Sequence, residues 1–275
     1  MVVSHLRKGL NARPGLQLLA GNTEIHHMTS ERPVLSVCIA TMNRTRSLDA
    51  QIASLLAQIE TLPVEIVVID ATDVGKATTA SWRSHPTVNY RLLDRPNGVD
   101  QDYDLAVRAS VGDYCWLLPD DDRLRDGAME RLIRHLVSEP DLVLLNAAVF
   151  DANLDAPLRD GLLRAPMPSR LDPPVTAQAL APANLLLTFI GSIVIRRSVW
   201  IERMEERFLG SEFAHVGVIL SKPLQRHVVI DHEPYLDIRY GAGHWESRWA
   251  RVWGLQWPAL VDSVVSEVDT PGPRP

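Results

Sequence analysis

The feature that most constrains this 275-residue chain is an alternation of short apolar runs with segments of helical periodicity, from Val34 to Leu145. Val34–Ala40, Val64–Ile69, Tyr114–Leu118 and Leu142–Leu145 are short, predominantly apolar runs, broken only by Ser36 and Glu65. Runs of that length without polar alternation read as strands buried on both faces. Val88–Leu93 reads as one more strand. Between them, Leu48, Ile52, Leu55, Leu56 and Ile59 recur at helical spacing. Gln101–Ser110 repeats the pattern with Tyr103, Ala106 and Val107, and Asp126–Val137 does so with Met129, Leu132, Ile133 and Leu136. Gly112 reads as the stop of the second helix. Consecutive strand–helix–strand units require right-handed crossovers. The expected fold is therefore α/β: a Rossmann-like, mostly parallel sheet flanked by helices.

Polar and acidic residues collect where these strands end: Thr41-Met-Asn-Arg44, Asp70 and Asp120-Asp121-Asp122. In an open α/β sheet, that edge is where ligands bind. Three adjacent carboxylates repel one another, a cost that a cation removes. Carboxylate oxygens suit Mn2+ or Mg2+, either of which can also bridge a diphosphate. The same three residues also read as a solvated acidic turn ahead of a helix. Asp70 reads equally as an acceptor for a nucleobase or ribose and as a turn aspartate bonded to its own backbone.

Past Leu145 the texture changes. Asp151–Pro182 is Pro-rich and aperiodic and reads as a long loop. Phe189–Ile195 reads as a strand, Ser198–Glu206 and Glu212–Leu220 as helices, and Val228–Ile230 and Pro234–Arg239 as two short strands. Trp245, Trp249, Trp253 and Trp257 recur every fourth residue, so they share one helix face, either core and docking surface or a sugar-stacking platform. A net charge of −6 argues against a nucleic-acid binder. Cys38 and Cys115 sit within apolar runs and read as free, buried thiols, which fits a reducing cytoplasm. No apolar stretch has the length of a membrane span, and the N-terminus lacks the continuous apolar core of a signal peptide. Residues 1–31 read as an N-terminal extension and 263–275 as a disordered tail.

Taken in order, Val37–Arg44, Glu65–Asp70, Asn97-Gly98 and Gly112–Asp122 resemble a family-2 glycosyltransferase of the GT-A fold. Asn97–Asp100, Phe189–Ser192, Phe208–His215 and Arg239–Gly241 are similar to its abequosyltransferase-like subgroup. The resemblance implies a nucleotide-sugar-binding half over 32–150 and an acceptor-binding half of the same domain over 151–262. It places Thr41, Asn43, Arg44, Asp70, Asn97, Asp100, Asp120, Asp121 and Arg239 around the donor. It makes Asp122 a metal ligand, with Asp120 and His244 as further ligands for Mn2+ or Mg2+. Inverting relatives use a carboxylate general base, which falls on Glu212, with His215 on the same helix face as the competing base.

The implied reaction moves a sugar from a nucleoside diphosphate sugar to a hydroxyl of a saccharide, a lipid-linked saccharide or a natural product, in the cytoplasm or at the inner face of the membrane. It leaves room for peripheral membrane contact and for a homodimer. Two other readings compete. A nucleotidyltransferase would show a Gly-rich loop after the first strand, and Ala40–Arg44 has no glycine. A non-catalytic sugar-nucleotide-binding protein would not need the intact Asp120–Asp122 and Glu212.

Overall fold

A computed structural model describes residues 32–163, 166–241 and 248–268. The chain runs β1 (Leu35–Thr41), α1 (Thr45–Ile59), β2 (Val64–Asp70), β3 (Val88–Leu92), α2 (Val99–Ala109), β4 (Tyr114–Leu117), β5 (Arg123–Leu124), α3 (Ala128–Leu136) and β6 (Leu142–Phe150). It continues through β7 (Pro157–Arg159), β8 (Arg170–Leu171), α4 (Ala177–Leu180), α5 (Asn184–Thr188), β9 (Ile193–Arg196) and α6 (Arg197–Arg203). The last elements are α7 (Ala214–Leu220), β10 (Val228–Arg239), α8 (Trp249–Arg251) and α9 (Trp257–Val268), the final two joined by a π-helical segment, Val252–Gln256.

The strands form one sheet in the order β3-β2-β1-β4-β9-β6-β10-β5. Pairing is parallel from β3 to β4 and between β6 and β10. β9 enters antiparallel between β4 and β6, so β1, β2, β3, β4, β6 and β10 all point the same way. The β1–β2 register sets Thr41 beside Asp70, and the β6–β10 register sets Phe150 beside Arg239. The carboxyl ends of the first and second halves therefore meet along one sheet edge. The apolar runs lie inside: every residue of β4 is buried, as are six of the seven in β1. α1 covers the sheet with Leu48, Ile52, Leu55 and Ile59, and α3 does so with Met129, Leu132, Ile133 and Leu136. Cys38 and Cys115 are both free and buried.

Several sequence-based expectations change. The Pro-rich stretch is not one loop, because it contributes β7, β8 and α4. The strand expected over Phe189–Ile195 shortens to β9, since Ile190–Ser192 forms a 3-10 turn. The two short strands expected at 228–239 are one, interrupted by bulges at Asp231–Leu236, where Pro234 cannot donate to the ladder. Gly112 is not the helix stop. α2 ends when Ser110 turns extended, whereas a Cβ on Gly112 would stand 2.5 Å from Ser36 Oγ and 2.9 Å from the Leu35 carbonyl carbon. Glycine is there because β1 passes too close for a side chain. α9 runs to Val268, so residues 263–268, expected as part of a tail, are helical. No described helix is long and apolar enough to cross a membrane.

Candidate active site

Two groups of polar residues sit at this edge. The first is built on the aspartate turn after β4. Asp120 Oδ2 accepts from Thr41 Oγ1 at 2.5 Å and Asp120 Oδ1 from Arg44 at 3.1 Å. The same Arg44 guanidinium bonds Asp121. Asp122 is buried, and its Oδ1 accepts the Arg239 backbone N–H at 3.0 Å. Arg239 in turn donates from Nε to the Asp121 carbonyl at 3.2 Å and from Nη1 to the Ala152 carbonyl at 2.5 Å. What brings residues 122 and 239 together is β5. It pairs antiparallel with β10, and Asp237 takes both Arg123 and Arg125, at 2.7 and 2.6 Å.

Electrostatics make this turn costly for the free protein. Burial pushes the Asp120 carboxyl up, against the Thr41 and Arg44 hydrogen bonds that lower it. Burial, then Asp121, push Asp122 well above the usual carboxylate range. Burial works against the Arg44 charge, but Asp121 and Asp120 outweigh it and hold the guanidinium above its ordinary value.

The second group is built on the loop before α7. Glu212 has φ +66°, and its Oε1 meets Arg248 Nη1 at 2.5 Å. Asp100, in the first turn of α2, accepts the Glu212 N–H at 2.8 Å and the Ala214 N–H at 3.1 Å. Burial pushes the Asp100 carboxyl up, against these two bonds. One turn further along α2, Tyr103 Oη donates to the Leu118 carbonyl at 3.1 Å, just ahead of the aspartates. One helix thus holds both groups at its N-terminal end.

Thr41, Arg44, Asp120, Asp121, Asp122 and Arg239 are therefore brought together. Asp70 is buried and already has two hydrogen-bond partners. It is 1% exposed, with Oδ1 on the Thr72 N–H at 2.9 Å and Oδ2 on Tyr90 Oη at 2.7 Å, so the turn-aspartate reading describes it. Asn43 lies beside it, with φ +58° and its N–H on Thr72 Oγ1 at 2.7 Å. Asp100, expected at the donor, is turned toward the Glu212 loop instead. Among the described residues Asn97 Nδ2 reaches Asp102, at 3.5 Å, and burial lifts that carboxyl to about 6.

Glu212 does not share a helix face with His215, because α7 starts at Ala214. His215 is 2% exposed, its Nε2 lies 3.0 Å from the Leu187 carbonyl, and burial lowers it to about 4. It packs inside the protein and offers no base to the edge. His244 and Trp245 lie outside the described residues. The other tryptophans do not form one stripe. Trp253 and Trp257 pack on Phe213, with ring centroids 5.2 and 4.9 Å away, while Trp249 is 58% exposed. Arg248, Tyr90 and the Asp237 pair have no signal in the sequence, since each gains its partner only across the sheet or from a distant loop.

The donor set of the aspartate turn, hard carboxylate oxygens of which those of Asp120 and Asp122 are buried, fits Mn2+ or Mg2+. No group of three or more acidic, His or Cys side chains poised for a metal exists among the described residues. That is compatible with these ions, which bind through one or two carboxylates together with substrate phosphates.

The α/β sheet with its aspartate turn at the carboxyl edge is of the GT-A class, as the family match and the fold neighbours show. Residues 36–201 match glycosyl transferase family 2, and the chain belongs to that family. It is 24% identical over 203 residues to abequosyltransferase RfbV of Salmonella typhimurium strain LT2, covering 68% of this chain and 60% of that protein's length. Two solved structures share the fold. Residues 1–349 of S. aureus TarS in complex with UDP-GlcNAc superpose with a TM-score of 0.61 at 12% identity, over 87% of this chain and 68% of that one. The mannosyltransferase PcManGT from Pyrobaculum calidifontis, in complex with GDP-Man and Mn2+, gives 0.56 at 12% identity, over 88% and 67%.

Proposed function

We propose that this chain transfers a glycosyl group from a nucleoside diphosphate sugar to an acceptor hydroxyl, with inversion. The observation that carries the reading is the convergence of Thr41, Arg44, Asp120–Asp122 and Arg239 on the carboxyl edge of a GT-A sheet. Asp122 and Asp120 are the residues that would hold Mn2+ or Mg2+. When bound, such an ion offsets the charge that grows on the leaving diphosphate. The guanidinium groups of Arg44 and Arg239 add positive charge at the same edge. Glu212 takes the proton from the acceptor hydroxyl. It stands outside α7 on a backbone held by Asp100, with Arg248 beside its carboxylate. The family membership, a relative named for abequosyl transfer and fold neighbours bound to UDP-GlcNAc or GDP-Man support a sugar-nucleotide donor. The acceptor is a saccharide, free or lipid-linked, or a natural product, met in the cytoplasm or at the inner membrane face.

Thermal unfolding with UDP, GDP, UDP-GlcNAc and GDP-Man, each with and without Mn2+, tests the donor reading. A ligand selective for the native state must raise Tm. At least one nucleotide should do so, and more strongly with Mn2+. No shift from any of them would defeat the proposal.

A further inference from the structure

Three aspartates in one turn are a liability when the site is empty of cations, yet here two of them already have a positive partner. The Arg44 guanidinium reaches both Asp120 Oδ1 and Asp121 Oδ2. We infer that Arg44 is the resident counter-cation of the aspartate turn, and that a divalent cation entering the turn has to displace it. This rests on the metal reading above and goes beyond it by naming what the ion competes with.

A single nitrogen of the guanidinium, Nη1, sits between the two carboxylates and serves both. The pair is largely sequestered: Arg44 has 19% of its side chain exposed, Asp120 6% and Asp121 17%. Screening by water is weak there, so the attraction counts. The same burial means that removing the guanidinium leaves two like charges without compensation. The backbone of Arg44 is held while its side chain is long. Its carbonyl accepts the first helical N–H of α1, from Leu48 at 3.0 Å. Asn43, before it, is fixed in the left-handed region with its N–H on Thr72. The side chain alone can therefore leave the carboxylates, and it carries a full positive charge when it does. A diphosphate arriving with the ion is the partner with matching charge and geometry. Binding of the ion thus costs the loss of the Arg44 pairs, and that cost lowers its apparent affinity until the diphosphate offers the guanidinium a new partner.

The test uses the full chain and Mn2+ alone, with free Mn2+ followed by electron paramagnetic resonance and unfolding followed in EDTA. R44Q should lower Tm in EDTA, yet bind Mn2+ about 10-fold more tightly than wild type. R44K, which keeps the charge on a more compact and more strongly hydrated ammonium, should fall between. Adding UDP should tighten Mn2+ binding in wild type much more than in R44Q. A residue that only contacts phosphate would weaken UDP and leave Mn2+ alone unchanged. If R44Q is unfolded in EDTA and folds with Mn2+, the inference stands; if it is unfolded in both, the R44K affinity decides. Equal or weaker Mn2+ binding by R44Q, or by R44K in that last case, overturns the inference. If wild type and R44Q bind no Mn2+ even with UDP, Arg44 is a permanent counter-ion, and the metal reading falls as well. If Mn2+ binds equally in both, only the Arg44 inference falls.

Discussion

His215 and Asp122 show how much a single side chain's surroundings decide. His215 is buried with its Nδ1 unpartnered, so the folded state favours the neutral ring. Its folded value of about 4 lies below the 6.5 of an unperturbed histidine. Its contribution is thus fully present above pH 6.5 and is lost as pH falls from 6.5 toward 4, because the unfolded chain takes up the proton first. His215→Gln should flatten the pH dependence of unfolding free energy across that window by about 1.4 kcal/mol per pH unit. Denaturant melts at pH 7, 6 and 5 check this, and an unchanged slope would contradict the buried, neutral assignment. Asp122 lies in a loop by sequence, which suggests that truncation spares the fold. Its hydrogen bond to the Arg239 N–H changes that expectation. Asp122→Ala should lose about 1–3 kcal/mol through the orphaned N–H, whereas Asp122→Asn keeps an acceptor and should melt close to wild type. Both should lose Mn2+-dependent turnover. Equal melting of the two variants would show that the hydrogen bond carries little.

Elements are held here by contacts that their own sequences do not announce. β1 and β4 can pair in parallel only because Gly112 presents no side chain to Ser36. Gly112→Ala should cost about 1–3 kcal/mol by overpacking the approach of two central strands, visible as a lower Tm. An unchanged Tm would mean that the 111–113 turn moves freely. The loop before α7 depends likewise on Asp100, which satisfies two N–H groups from residues more than one hundred positions away. Asp100→Ala should raise hydrogen exchange at Glu212 and Ala214 while leaving β1 and β2 protected. Loss of protection throughout would mean that Asp100 supports the whole core instead. Helix periodicity was legible for α1, α2 and α3, whose inward faces are the residues that recur at the expected spacing. It misled at the tryptophan repeat, where Trp253 and Trp257 pack on Phe213 but Trp249, four residues earlier, faces solvent.

For the whole molecule, the decisive link is between the two halves. Asp237 ties Arg123 and Arg125 to β10 and so sets Asp122 against Arg239. Asp237→Ala should lower stability by on the order of 2 kcal/mol and should also weaken nucleotide binding, measured by calorimetry on the folded fraction. Unchanged affinity would show that the second half does not shape the donor site. The sequence by itself determined the strand–helix alternation, the parallel sheet and the edge on which polar residues gather. These follow from local rules: apolar run length, a period of 3.6 and the polarity of strand ends. It also carried the ordered set of motifs that places the chain in its family. The tertiary structure alone decided which acids are already paired within the protein. Asp70 and Asp100 look like donor contacts in sequence, and Tyr90, Thr72 and the Glu212 loop take them up instead. Arg44 and Arg239 gain their meaning from partners 76 and more positions away. The physical reason is that a carboxylate or guanidinium has the same local signature whether it is solvated, paired or liganded. Only the packing of distant strands and loops fixes which of these it is.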